Sequence, residues 1–131
     1  MTVRILLVDD HKAVRQGIRT LLGGHSEWEI VDEAEDGVEA VEKAGRLKPD
    51  VVVLDVTMPR MDGLEACRQI RKRLPGTEVL IVTQHESAQM MREAVSAGAR
   101  GYVAKVNVAR DLPAAVDAVS HHLGFPAGLG V

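Results

Sequence analysis

Val51-Val52-Val53-Leu54-Asp55 decides the fold of this 131-residue chain. Four consecutive apolar residues leave no side for water. The segment therefore reads as a strand covered on both faces, with a carboxylate where it ends. The arrangement recurs. Ile5-Leu6-Leu7-Val8 runs into Asp9 and Asp10, Val79-Leu80-Ile81-Val82 into Thr83, and Tyr102-Val103-Ala104 into Lys105. In parallel sheets flanked by helices, ligands bind at the carboxyl ends of the strands. The spacing thus predicts one crevice that gathers Asp9, Asp10, Asp55, Thr83 and Lys105.

Strand patterns fall at residues 4–8, 29–34, 51–55, 78–82 and 101–104, and helical patterns lie between them. Val14, Ile18, Leu21 and Leu22 repeat at helical spacing until Gly23-Gly24 stops them. Val38, Val41, Ala44 and Leu47 mark a second helix that ends at Lys48-Pro49. Asp62-Gly63 opens a third through Leu64, Cys67, Ile70 and Leu74, closed by Pro75-Gly76. Ser87 caps a fourth through Met91, Ala94 and Val95 to Gly98, and Leu112, Ala115, Val116 and Val119 mark a fifth. Strict alternation gives an α/β fold, a doubly wound (βα)5 sheet of five parallel strands. Right-handed crossovers select the order 2-1-3-4-5, the flavodoxin-like arrangement. The domain spans 1–123. The uncharged, Gly- and Pro-rich residues 124–131 read as a linker or frayed end.

Bulk properties narrow the function. A net charge of −3 argues against a general nucleic-acid surface, so any action on DNA needs another domain. One cysteine, Cys67, excludes an internal disulfide and sits on an apolar helical face as a small core residue. No stretch resembles a signal peptide or reaches the ~20 apolar residues of a membrane span, so a cytoplasmic protein is expected. The five histidines show no metal spacing. His11 and His85 fall beside the expected crevice.

Asp9, Asp10 and Asp55 are hard oxygen donors, which suit Mg2+, with Mn2+ possible, rather than zinc. A cation offsets the adjacent like charges of Asp9 and Asp10. Lys105 supplies a point charge for a phosphate oxygen or for Asp55, and Thr83 a hydroxyl donor. An aspartate in such a pocket can act as a nucleophile. No Gly-rich phosphate loop follows the first strand, and there is no Ser nucleophile elbow.

Asp9-Asp10, the stretch Asp55-Val56-Thr57-Met58-Pro59-Arg60-Met61-Asp62-Gly63, Thr83, and Ala97-Gly98-Ala99-Arg100-Gly101-Tyr102-Val103-Ala104-Lys105 together resemble the receiver domain of two-component response regulators. Asp9-Asp10-His11 and the Ala-Gly-Ala-x-Gly-Tyr stretch are most similar to the NarL/FixJ subfamily. The resemblance implies that Asp55 is the phosphoacceptor for a sensor histidine kinase or phosphotransfer protein. It implies Mg2+ held by Asp10, Asp55 and the backbone carbonyl of Thr57, with Asp9 acting through water. Lys105 would pair with the phosphoryl group, Thr83 would turn toward it, and Tyr102 would follow inward. The implied role is a phosphorylation-dependent switch rather than a turnover enzyme, the receiver part of a transcriptional regulator. A homodimer through Ala114, Ala115 and Ala118 of the fifth helix is a further expectation. Val106 departs from the pattern, because many receivers have Pro after the Lys, or Ser or Asp in this subfamily, and relatives often have a cis bond at this step.

Three alternatives stay open. A stand-alone receiver would lack an output domain. A pseudo-receiver would bind partners without phosphorylation. A haloacid-dehalogenase-type phosphatase would also use an Asp nucleophile with Mg2+, but it needs an acid two residues further on, where this chain has Thr57.

Overall fold

Five parallel strands build the sheet: β1 (Val3–Val8), β2 (Trp28–Ala34), β3 (Val51–Asp55), β4 (Glu78–Thr83) and β5 (Gly101–Ala104). Their order is β2-β1-β3-β4-β5, as the alternation predicts. Between them lie α1 (Lys12–Leu22), α2 (Gly37–Leu47), α3 (Gly63–Arg73) and α4 (Ala88–Ser96). After β5 a single 3-10 turn at Lys105–Asn107 leads into α5 (Val108–Ser120). The computed structural model describes residues 2–56, 62–84 and 87–129.

The uninterrupted apolar runs are buried on both faces. Ile5, Leu7, Val51, Val53, Leu80 and Val82 face α1 and α5, where Ile18, Leu22, Leu112, Val116 and Val119 complete one core cluster. Leu6, Val8, Val52, Leu54, Val79 and Ile81 face the other side, with Ala40, Ala44, Ala66, Cys67, Ile70 and Ala94. Alternate residues thus fill opposite cores, the period of two expected of a strand. Cys67 is fully buried, its Sγ 3.4 Å from the Ala97 carbonyl oxygen, and burial pushes its thiol pKa up to about 12.

Helix starts follow the chemistry of their caps. Asp62 accepts a hydrogen bond from the Glu65 backbone N–H at 2.8 Å, and Ser87 from that of Met90 at 3.0 Å. Asp36 does the same for α2 through the Glu39 N–H. Each satisfies a donor that the first helical turn cannot pair internally. Gly63 is held to glycine by space: a Cβ there would lie 2.3 Å from the Asp55 carbonyl oxygen. This close approach seats the start of α3 against the end of β3.

Two local expectations need correction, and one open question is answered. The tail was read as a linker or frayed end, but Phe125 pairs with the open edge of β5. Its N–H donates to the Arg100 carbonyl at 3.2 Å, and its own carbonyl accepts from Tyr102 N–H at 2.8 Å. An edge strand carries unpaired backbone groups, and the tail satisfies two of them. The sequence leaves open whether the step after the lysine is cis, as it often is in relatives. Among the described residues the cis bond is Phe125-Pro126, and Lys105-Val106 is trans. Finally, Ala115 is fully buried against the sheet, so only Ala114 and Ala118 of the three alanines offer any outer surface.

Candidate functional site

Adjacent strand ends bring the site together. Val8 of β1 lies in register with Leu54 of β3, and Asp55 with Val82 of β4, so Asp9, Asp55 and Thr83 emerge side by side. Thr83 pairs with Ala104, which places Lys105 on the next strand end. Asp9 and Asp55 are each only 3% exposed, and Thr83 is fully buried. The Lys105 ammonium sits between the two acids, 3.2 Å from Asp9 Oδ2 and 3.3 Å from Asp55 Oδ2. Burial works against the charged lysine, but Asp55 and Asp9 outweigh it and hold its pKa above the ordinary value.

Asp9, Asp10 and His11 form the outer part of the pocket. Their potential ligand atoms all lie within 4.8 Å of one another. The clustered carboxylate oxygens of Asp9 and Asp10, with Asp55 beyond Lys105, are hard donors that fit a divalent cation. Asp55 stands behind this group, joined to it through Lys105. Tyr102 is 4% exposed and already belongs to the core cluster, against which Met90 and Met91 pack. Thr57, expected to give a backbone carbonyl, and His85 lie outside the described residues. Beside Lys105 an apolar cavity of about 380 Å³ opens between α1 and α5, lined by Val14, Ile18, Leu21, Val82 and Val108.

Arg15 was not anticipated from the sequence. With Ile18 and Leu22 it forms the buried stripe of α1, at intervals of three and four residues. Its Nη1 donates to the Asp9 carbonyl oxygen at 2.6 Å and its Nε to Glu33 Oε1 at 2.6 Å. Arg19 bonds the other Glu33 oxygen, also at 2.6 Å. The Arg19 hydrogen bond, joined by that of Arg15, holds the Glu33 carboxyl below the usual range against the opposing effect of burial. A buried cation thereby fixes the backbone that carries Asp9. The available signal was an arginine in register with an apolar stripe, opposite the acids of β2.

Residues 5–117 match the response regulator receiver domain family. The chain belongs to that family. This receiver is 42% identical over 116 residues to the response regulator protein VraR from Staphylococcus aureus, covering 88% of the chain and 56% of that protein. It thus spans about half the length of the curated relatives it matches. It superposes with a TM-score of 0.88 and 39% identity on a LuxR-family two-component response regulator from Aurantimonas sp. SI85-9A1, over 92% of the chain and 86% of that one. The response regulator domain of CheB from Thermotoga maritima gives a TM-score of 0.85 at 32% identity, over 92% and 98%. These relatives support the NarL/FixJ-like placement. Receiver domains act as signalling switches, and this acidic pocket occupies the crevice the strand ends predict.

Proposed function

We propose that Asp55 accepts a phosphoryl group from a phosphohistidine on a sensor kinase or phosphotransfer protein. The observation that carries this is the Lys105 ammonium held between the buried carboxylates of Asp55 and Asp9. An Asp55 carboxylate oxygen forms the new bond to phosphorus. The bond from phosphorus to the partner's imidazole nitrogen breaks, and that nitrogen keeps the electron pair. Almost all of the catalysis is positioning and charge neutralisation. Asp10 and Asp55 would hold Mg2+, with the Thr57 carbonyl and a water-mediated Asp9 as the family resemblance implies, and the ion would supply further neutralisation of the phosphoryl oxygens. Lys105 then moves its ammonium from paired carboxylates to the new phosphoryl group. Arg15 keeps the Asp9 backbone in place throughout.

Thr83 lies one strand away from Asp55 and has a hydroxyl to donate to the phosphoryl group. Tyr102 neighbours it on β5, since Thr83 pairs with Ala104 and Ile81 with Tyr102. We read this pair as the route by which charge at Asp55 reaches the face formed by α4, β5 and α5, a two-state element biased by new charge. The likeness to VraR and to a LuxR-family regulator supports a role as the receiver part of a transcriptional regulator. DNA would be reached through another domain of such a protein. No helix among the described residues is long and apolar enough to cross a membrane.

Intact mass after incubation with Mg2+ and acetyl phosphate tests the proposal. Wild type should gain one phosphoryl group, and Asp55→Asn should gain none. Addition to both would place the acceptor elsewhere. Addition to neither, with the partner kinase also present, would favour a pseudo-receiver.

A further inference from the structure

We propose that His11 is a direct ligand of the pocket's divalent cation and tilts its selectivity toward nitrogen-accepting ions such as Ni2+ relative to Mg2+. This rests on the pocket holding a divalent cation at all. His11 occupies the N-cap position of α1, yet its side chain makes no capping hydrogen bond to the helix. It turns instead to the acids. Its Nδ1 lies 3.0 Å from Asp10 Oδ1 and 3.5 Å from Asp9 Oδ1. Ligands at neighbouring corners of an octahedron with bonds of 2.0–2.1 Å sit about 3.0 Å apart. The 3.0 Å contact is a direct His–Asp pairing, and the same spacing lets Asp10 and His11 serve as neighbouring ligands of one ion.

The backbone keeps them so. The His11 N–H donates to Asp9 Oδ1 at 2.9 Å, and its carbonyl accepts from the Arg15 N–H at 3.1 Å. Arg15 in turn grips the Asp9 carbonyl. The imidazole is thus presented from a fixed stretch of chain, while its ring is exposed enough to meet an arriving ion. An all-oxygen site suits Mg2+, which keeps most of its waters. An imidazole nitrogen adds affinity for Ni2+ and its neighbours and little for Mg2+.

Calorimetric titration of the metal-stripped protein with NiCl2 and with MgCl2 tests this. A His121→Ala/His122→Ala background removes the adjacent surface histidines that could bind Ni2+ on their own. In that background His11→Ala should weaken Ni2+ binding at least tenfold and shift Mg2+ binding by less than twofold. His11→Gln, which keeps a polar side chain of similar reach, should behave like His11→Ala toward Ni2+. Equal loss for both ions, or no loss for Ni2+, would overturn the role of His11. If the His11-intact protein binds neither ion, or if Asp10→Asn changes neither titration, the cation reading of the pocket fails as well.

Discussion

The two ends of the sheet each bury a carboxylate, and they treat it in opposite ways. At the amino end, Glu78 is 1% exposed and faced by two arginines and a histidine. Arg71 Nη1 lies 3.0 Å from Oε1, while Arg100 Nε and His122 Nδ1 lie 2.9 and 2.8 Å from Oε2. At the carboxyl end, Asp9 and Asp55 share the ammonium of Lys105, while Asp10 pairs with His11. A buried charge is tolerated only when paired. At the Glu78 end Oε2 is hydrogen-bonded by Arg100 and His122, while Oε1 has the Arg71 charge beside it but no hydrogen bond, and the group acts as a clamp joining α3, β4, β5 and the end of α5. The Asp55 end sets two buried acids against one ammonium, with Asp10 alongside, a donor set that suits a cation. Among the described residues, two acids on one cation at one end and three nitrogen partners on one acid at the other distinguish the two ends.

Breaking the clamp should have the largest effect on stability. Glu78→Gln leaves two arginines facing a neutral group and should cost about 3–5 kcal/mol in urea denaturation. Asp55→Asn relieves like-charge crowding and leaves Lys105 its Asp9 partner, so it should stay within about 1 kcal/mol of wild type. Similar losses for the two would erase the contrast. Removing the Lys105 ammonium at the other end should act on rate instead. Lys105→Ala should slow phosphorylation by acetyl phosphate on the order of a hundredfold, the scale of losing one well-placed charge. Rates within threefold would show that Lys105 is not aimed at the reacting group.

Glu33 sharpens the comparison, because it is an acid near the site that is fully paired with Arg15 and Arg19. Its folded pKa is lowered, so its contribution is present above the ordinary carboxylate value of 4.5 and is lost as pH falls through the depressed folded value. Glu33→Gln should cost roughly 2 kcal/mol at pH 7, and the gap to wild type should narrow steadily as pH falls from 4.5 through the depressed folded value. A gap that does not change with pH would mean packing, not charge, sets the cost. The smallest effect belongs to His122. Its ring is 62% exposed, and His122→Ala should change stability by only about 0.5 kcal/mol. A loss comparable to that of Glu78→Gln would make the histidine an essential third of the clamp.

Much of the site was legible because each residue sits at a strand end, a position that local hydrophobicity reveals. Asp55 after Val51-Val52-Val53-Leu54 and Lys105 after Tyr102-Val103-Ala104 need no knowledge of the rest of the chain. The caps Asp62 and Ser87 were legible for the same reason, since a cap acts on a donor three residues away. Arg15 and Glu78 were not legible. Each reads locally as an ordinary surface charge, and burial becomes tolerable only through partners 18 residues away for Arg15 and up to 44 away for Glu78. The tail misled for a related reason. Its composition suits a linker, but the open edge of β5 was there to receive it.

By itself the sequence determined the strand runs, the alternation with helices and the acidic residues at the strand ends, because these follow from periodicities within a few residues. Only the tertiary structure decided which charges are shared and which are satisfied. Electrostatic pairing depends on distances of about 3 Å between groups that the chain places far apart, and packing alone sets those distances.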